Sequence, residues 1–254
     1  MKTFFLSFLI IFCLHTLNAQ SYKTTFSSNE VTNKMVIQIE GGQIDISGHS
    51  SNEVVVEAKG YEPPPKKAEG LKPLYASGQD NSGIGLSVQQ EGNTLQLVGI
   101  RSYDDTDYII KIPNKTSVAV RMGPRNDNLR ISNLKGEIEL QAHSDDVLLH
   151  NVSGPIVANA ISSNMEVKMD QVNSQKPTAI SLVSGDLDIS LPASLAADLK
   201  VTSVSGEVYT DFDIDVESSD EMQRRRKPIV GTINGGGAEI ELRTVSGNIY
   251  LRKN

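Results

Sequence analysis

Residues 116–169, TSVAVRMGP RNDNLRISN LKGEIELQA HSDDVLLHN VSGPIVANA ISSNMEVKM, decide the fold, because they fall into six units of nine. The fifth position of each unit reads Val120, Leu129, Ile138, Val147, Ile156, Met165, and the seventh reads Met122, Ile131, Leu140, Leu149, Ala158, Val167; all twelve are apolar. Residues two apart share one face of a strand, so each unit is a short strand with one apolar face, and its remaining four residues make a corner. A period of eighteen is nested inside the nine: Asp127, Gly136, Asp145 and Gly154 alternate at the third position, and Asn133, Ala142, Asn151 and Ala160 at the ninth. Eighteen residues at about 3.3 Å each give a coil with a perimeter of roughly 60 Å, which closes on itself as two or three flattened sides.

The expected fold is therefore all-β, a single-domain parallel β-solenoid (β-helix) with coils of 18–21 residues. An antiparallel meander or sandwich with Ser-Gly turns has the same period and is the alternative. Glycine at every second corner permits a positive φ or close approach of neighbouring backbones. Asn133 and Asn151, eighteen apart, are expected to stack as a side-chain ladder.

Outside the repeat, strand alternation appears at residues 34–39, 43–46, 53–58, 85–88, 94–98 and 108–113. The stretch 61–82, with Pro63, Pro64, Pro65 and Pro73, cannot hold a ladder and reads as a surface excursion. A longer form of the repeat resumes at Val183-Ser184-Gly185, Val204-Ser205-Gly206 and Val245-Ser246-Gly247, each echoing Val152-Ser153-Gly154. A second, polar and Gly-rich excursion is expected at 211–237.

Lys2, the apolar run Phe4–Leu14 and the end Asn18-Ala19-Gln20 have the layout of a secretory signal, residues 1–19, with a mature domain from 20 to 254. Its apolar core is too short to span a bilayer as a stable anchor. Cys13, the one cysteine of the chain, lies inside that run, so the mature domain is expected to lack disulfides, thiol nucleophiles and Cys-ligated zinc. Loss of Lys2 leaves 23 basic against 31 acidic residues, a balance that speaks against nucleic acid or anionic lipid as partners.

The run Gly235-Gly236-Gly237-Ala238-Glu239-Ile240-Glu241-Leu242-Arg243-Thr244-Val245-Ser246-Gly247-Asn248-Ile249, with the three earlier V-S-G copies, resembles a bacterial putative-adhesin family. That family is a domain of unknown function built of V-S-G β-strand repeats. The Asn18-Ala19-Gln20 junction is similar to export signals of the Bacteroidetes group. The resemblance implies an exported, non-enzymatic β-helical module of the periplasm or cell surface, with a role in adhesion or envelope sensing. It supplies no catalytic, cofactor or metal residues.

The residues offer several chemistries, each with a plainer reading beside it. Asp211, Asp213 and Asp215 alternate as on one strand face, about 6–7 Å apart and too spread to converge on calcium. Asp104-Asp105-Thr106-Asp107 is a better loop for wrapping an ion. Calcium-binding β-rolls share the nine-residue beat, but the chain has no G-G-x-G-x-D corner, and Asp127 and Asp145 serve equally to bond a turn. Glu137, Glu139 and the pair Asp145-Asp146 could mimic the carboxylates of a β-helical polysaccharide lyase or hydrolase, though acid–base work needs a cleft. His49, His143 and His150 follow no ligand spacing, and Ser153, Ser184, Ser205 and Ser246 lack a nucleophile elbow. Arg224-Arg225-Arg226-Lys227 could meet an acidic glycan, or be neutralised by the acids from Glu217 to Glu221. Tyr61–Tyr75 reads as a recognition arm or as an insertion. The favoured expectation is a binding or structural module contacting envelope protein or glycan, with no cofactor.

Overall fold

A computed structural model describes residues 20–27, 33–71, 73–74, 78–100, 105–143, 146–216 and 228–254. The expected signal at 1–19, Asp104, Asp145 and the basic run 224–227 lie outside the described residues.

From Asp107–Pro113 to Asp215–Val216 successive strands alternate between two sheets, so the chain winds as a flattened two-sided coil. The first sheet has ten strands, in hydrogen-bonded order Gln20–Thr25, Glu53–Lys59, Asp107–Pro113, Gly42–His49, Asn126–Leu134, Asp146–Val152, Met165–Met169, Leu187–Leu191, Ile249–Lys253 and Val208–Thr210. The second has eleven: Asp215–Val216, Ile229–Ile233, Ala197–Ser205, Ala238–Ser246, Thr178–Ser184, Ile156–Ser162, Ile138–Ala142, Ser117–Met122, Lys34–Ile39, Thr94–Gly99 and Leu86–Glu91. Every pairing between neighbouring coils is parallel. This is the solenoid and not the meander; antiparallel pairing is confined to the ends of the sheets.

All twelve apolar positions of the repeat are buried, none more than 3% exposed. Ile138 and Ile156 face each other in register and are both fully buried, as are Leu149 and Ile131 one sheet away. Each aliphatic side chain so removed from water contributes roughly 1.5–3 kcal/mol. Ile138 pairs with Val118 and not with Val120, so this coil takes two residues more than the strict eighteen and stays within the expected 18–21. A slip of two keeps every side chain on its face, so the seam tolerates it; a slip of one would turn the apolar set outward.

The corner glycines act by proximity. A Cβ on Gly154 would lie 1.9 Å from the Gly136 carbonyl oxygen, and one on Gly136 would lie 2.1 Å from that of Thr116. At the opposite corner Asn133 and Asn151 adopt φ of 56° and 54°, and Asn151 Nδ2 donates to Asn133 Oδ1 at 2.6 Å, the expected ladder.

Chain order and stacking order diverge at both ends. The last coil, Ala238–Ser246 with Ile249–Lys253, is inserted between the coil Thr178–Leu191 and the coil that begins at Ala197. The first coil, Lys34–Ile39 with Gly42–His49, likewise lies between strands that follow it by more than fifty residues. Of the expected excursions, among the described residues 61–82 carries the short 3₁₀ turn Lys66–Ala68, while 211–237 contains the strands Asp215–Val216 and Ile229–Ile233 of the second sheet.

Candidate functional site

The outer face of the first sheet carries the most organised polar surface. The residue preceding each inward aliphatic forms one column across the stack: Asn128, Asp146, Asn164, Asp186, Asn248, Glu207. Four of these side chains, Asp146, Asn164, Asp186 and Asn248, bridge successive coils. Asn164 Nδ2 donates to Asp146 Oδ1 at 3.3 Å, and Asn164 Oδ1 accepts from the Asp186 N–H at 3.2 Å. Asp186 Oδ1 accepts from the Asn248 N–H at 2.7 Å, and Asn248 Oδ1 accepts from the Glu207 N–H at 3.0 Å. Asp186 and Asn248, each following V-S-G, are thus rungs that satisfy the corner N–H of the next coil in the stack.

Two residues further along each strand the outward side chains run Arg130, Leu148, Glu166, Asp188, Tyr250, Tyr209 in register. Between column and row lies an open groove of about 510 Å³, lined among others by Arg130, Asp146, Leu148, Asn164, Glu166 and Tyr250. At its end Tyr250 and Tyr209 stack with centroids 5.4 Å apart and planes 11° apart. Arg252 forks onto Asp188, Nε to Oδ1 at 2.8 Å and Nη2 to Oδ2 at 3.0 Å, with its guanidinium 5.3 Å from the Tyr250 ring centre. Ladder-held groups repeating every ~4.8 Å make a rigid template that needs no reordering to bind an extended ligand.

The other expected residues are dispersed. Asp211, Asp213 and Asp215 do not share a strand face, because the chain crosses between the sheets here and Phe212 turns inward, 6% exposed, to close the core. Asp211 Oδ1 accepts from the Lys253 N–H at 2.8 Å, while Asp213 reaches Lys253 Nζ at 3.5 Å. Asp107 accepts from the Gln43 N–H at 2.9 Å, a bond between neighbouring strands of the first sheet. The turn before Asp127 is held by Asn126, whose Oδ1 accepts from the Gly123 N–H at 2.9 Å. Glu137 and Glu139 stand on the second sheet's flat side, engaged by Lys176 at 2.6 Å and Lys34 at 2.8 Å. His49, His143 and His150 lie on separate elements: His49 Nδ1 accepts from the Ser51 N–H at 3.0 Å, and His143 Nδ1 lies 3.1 Å from the Met122 carbonyl. Ser184, Ser205 and Ser246 are exposed at corners, and Ser153 is half-buried at another. Among the described residues no three His, Cys, Asp or Glu converge as a metal site.

The excursion 61–82 is anchored through Tyr61, which is 8% exposed and donates to Asp80 Oδ2 at 2.8 Å. Asp80 also accepts from the N–H groups of Ser82, Gly83 and Gly85. Burial pushes its pKa up, but these bonds outweigh that and hold it below the ordinary carboxylate value.

Alternating parallel strands on two faces, with Asx rungs joining the coils from Asp146 to Glu207, define a two-sided β-solenoid. The chain belongs to the Toastrack DUF4097 family, whose pattern matches residues 125–252. The V-S-G resemblance read from the sequence leads to the same group. The fold is also similar to a putative cell adhesion protein from Clostridium sporogenes, with 11% identity, a TM-score of 0.47, and 93% of this chain and 100% of that one covered. A putative adhesin from Bacteroides fragilis has 13% identity and a TM-score of 0.36 over 93% and 98% of the two chains. One from Parabacteroides distasonis has 9% identity and a TM-score of 0.28 over 91% and 96%. No curated protein matches the sequence.

Proposed function

We propose that this chain is an exported, non-catalytic binding or structural module of the cell envelope, adhesin-like in action, which holds a glycan or an envelope protein against the outer face of its first sheet. One observation carries this reading: the groove between the Asx column and the row from Arg130 to Tyr250 is built from ladder-fixed polar side chains. An open sheet face distributes weak contacts along a polymer, whereas acid–base chemistry needs a water-excluding cleft. The carboxylates that could mimic a lyase, Glu137 and Glu139, are each paired with a lysine on an exposed side. Export rests on the pattern of residues 1–19. Among the described residues no helix is long and apolar enough to cross a membrane.

The test combines a glycan array and an envelope pull-down with a polysaccharide lyase and hydrolase screen. Retention is expected to fall when Arg130→Ala and Glu166→Ala are combined, with no turnover by either protein. Turnover lost in Glu137→Gln or Glu139→Gln would overturn the reading in favour of an enzyme.

A further inference from the structure

Three of the four sheet ends are closed by an antiparallel strand. Glu53–Lys59 and then Gln20–Thr25 cover the N-terminal end of the first sheet, and Leu86–Glu91 covers that of the second. This last edge is sealed further by side chains: Asn81 Nδ2 donates to the Val88 carbonyl and Asn81 Oδ1 accepts from the Val88 N–H, both at 2.8 Å. Ile229–Ile233 and Asp215–Val216 cover the C-terminal end of the second sheet. The C-terminal end of the first sheet stops at the parallel coil strand Val208–Thr210, beyond which no strand lies among the described residues.

Among the described residues no strand pairs with the outer edge of Val208–Thr210, and the chemistry of that edge is specific about what fits it. The Ile249 N–H donates to the Glu207 carbonyl at 2.9 Å, and alternation then turns the Tyr209 backbone inward to the ladder and aims the N–H and C=O of Val208 and Thr210 at the outer edge. Glu207, Tyr209 and Asp211 share the outer face of this segment by the same alternation; Asp211 keeps its negative charge there although its Oδ1 already accepts from the Lys253 N–H. One face of the Tyr209 ring is covered by Tyr250, and the residue remains 53% exposed. Two copies of this edge paired antiparallel about Tyr209 would set Glu207 opposite Asp211, like charges across a non-covalent ladder, which disfavours a second copy.

We propose that Val208–Thr210 is a strand-addition site for an extended basic segment of a partner protein. That segment runs antiparallel, with Lys or Arg opposite Glu207 and Asp211 and an aromatic side chain opposite Tyr209. It supplies the fourth cap. The site is distinct from the groove and does not depend on it.

The probe is a fluorescein-labelled peptide, Ser-Lys-Val-Tyr-Thr-Lys-Ser, titrated into the full chain and followed by anisotropy. N-methylation of its Val and Thr removes the donors aimed at the edge and is expected to weaken binding at least about tenfold. N-methylation of its Tyr, whose N–H points away, is expected to change nothing. Replacing both lysines by Glu abolishes binding, and Tyr209→Ala weakens it about fivefold, with the melting curve checked for folding. Equal binding of the Val/Thr-methylated and unmodified peptides overturns the proposal, as does absence of binding. Concentration-dependent dimerisation that the peptide fails to displace would assign the edge to a second copy and overturn it equally. These outcomes are independent of any glycan retention by the groove.

Discussion

At the scale of single residues the solenoid depends on what a corner excludes. Gly154 leaves only 1.9 Å between a built Cβ and the Gly136 carbonyl oxygen, so Gly154→Ala must push two coils apart. It is expected to cost about 3–5 kcal/mol in chemical denaturation. Gly99→Ala, whose Cβ would meet Ile39 Cα at 3.6 Å, should cost less than about 1 kcal/mol and serves as control. Thr244 presents the opposite case: it is fully buried and its hydroxyl has no hydrogen-bond partner among the described residues. Thr244→Val keeps the branched shape and removes the orphan group, so a gain of about 1 kcal/mol is expected. Asp80 adds a pH dependence. Its folded pKa is depressed, so its contribution is present above the unfolded value of about 3.9 and is lost as pH falls through the folded pKa. Asp80→Asn should cost about 1–2 kcal/mol at pH 7 and flatten the acid limb of the stability curve. The apolar beat made the buried positions legible in advance, but Tyr61 and Asp80 were not. Their pairing across nineteen residues leaves no periodic trace.

At the scale of strands and coils, a repeat reports which face is buried and not which coil is next. Val120 and Ile138 are eighteen apart in sequence, yet Val118 is the true neighbour of Ile138, because inward positions two apart satisfy the same pattern. The Asx rungs were readable as the fourth position of alternate units, Asn128, Asp146 and Asn164, but the glycines and asparagines beside them carried the more conspicuous alternation. The insertion of the final coil was not readable, since V-S-G copies are interchangeable as local sequence. That insertion has a consequence for truncation. Ala197–Ser205 pairs along its length with Ala238–Ser246, so ending the chain after Asn234 removes the layer that joins Ala197–Thr210 to the rest. Hydrogen exchange is expected to show loss of protection throughout Ala197–Thr210, whereas simple fraying would spare it.

For the whole molecule, the same nine-residue beat admits two ways of holding coils together: an ion between corners, or direct side-chain rungs. The Asx column argues for the second. Asp146, Asn164, Asp186 and Asn248 each present Oδ1 to a neighbouring coil's donor, so one oxygen of each side chain is engaged in a direct rung, which weakens the set that calcium would draw on. A calcium site with a dissociation constant near 1 mM would stabilise the protein by about 1.4 kcal/mol at about 10 mM calcium. That is roughly 3–6 °C in Tm for a domain of this size. The column predicts instead that melting midpoints with about 10 mM calcium and with excess chelator agree within about 1 °C. A rise of 2 °C or more with calcium, lost in Asp186→Asn, would return the molecule to the class of ion-stapled β-rolls.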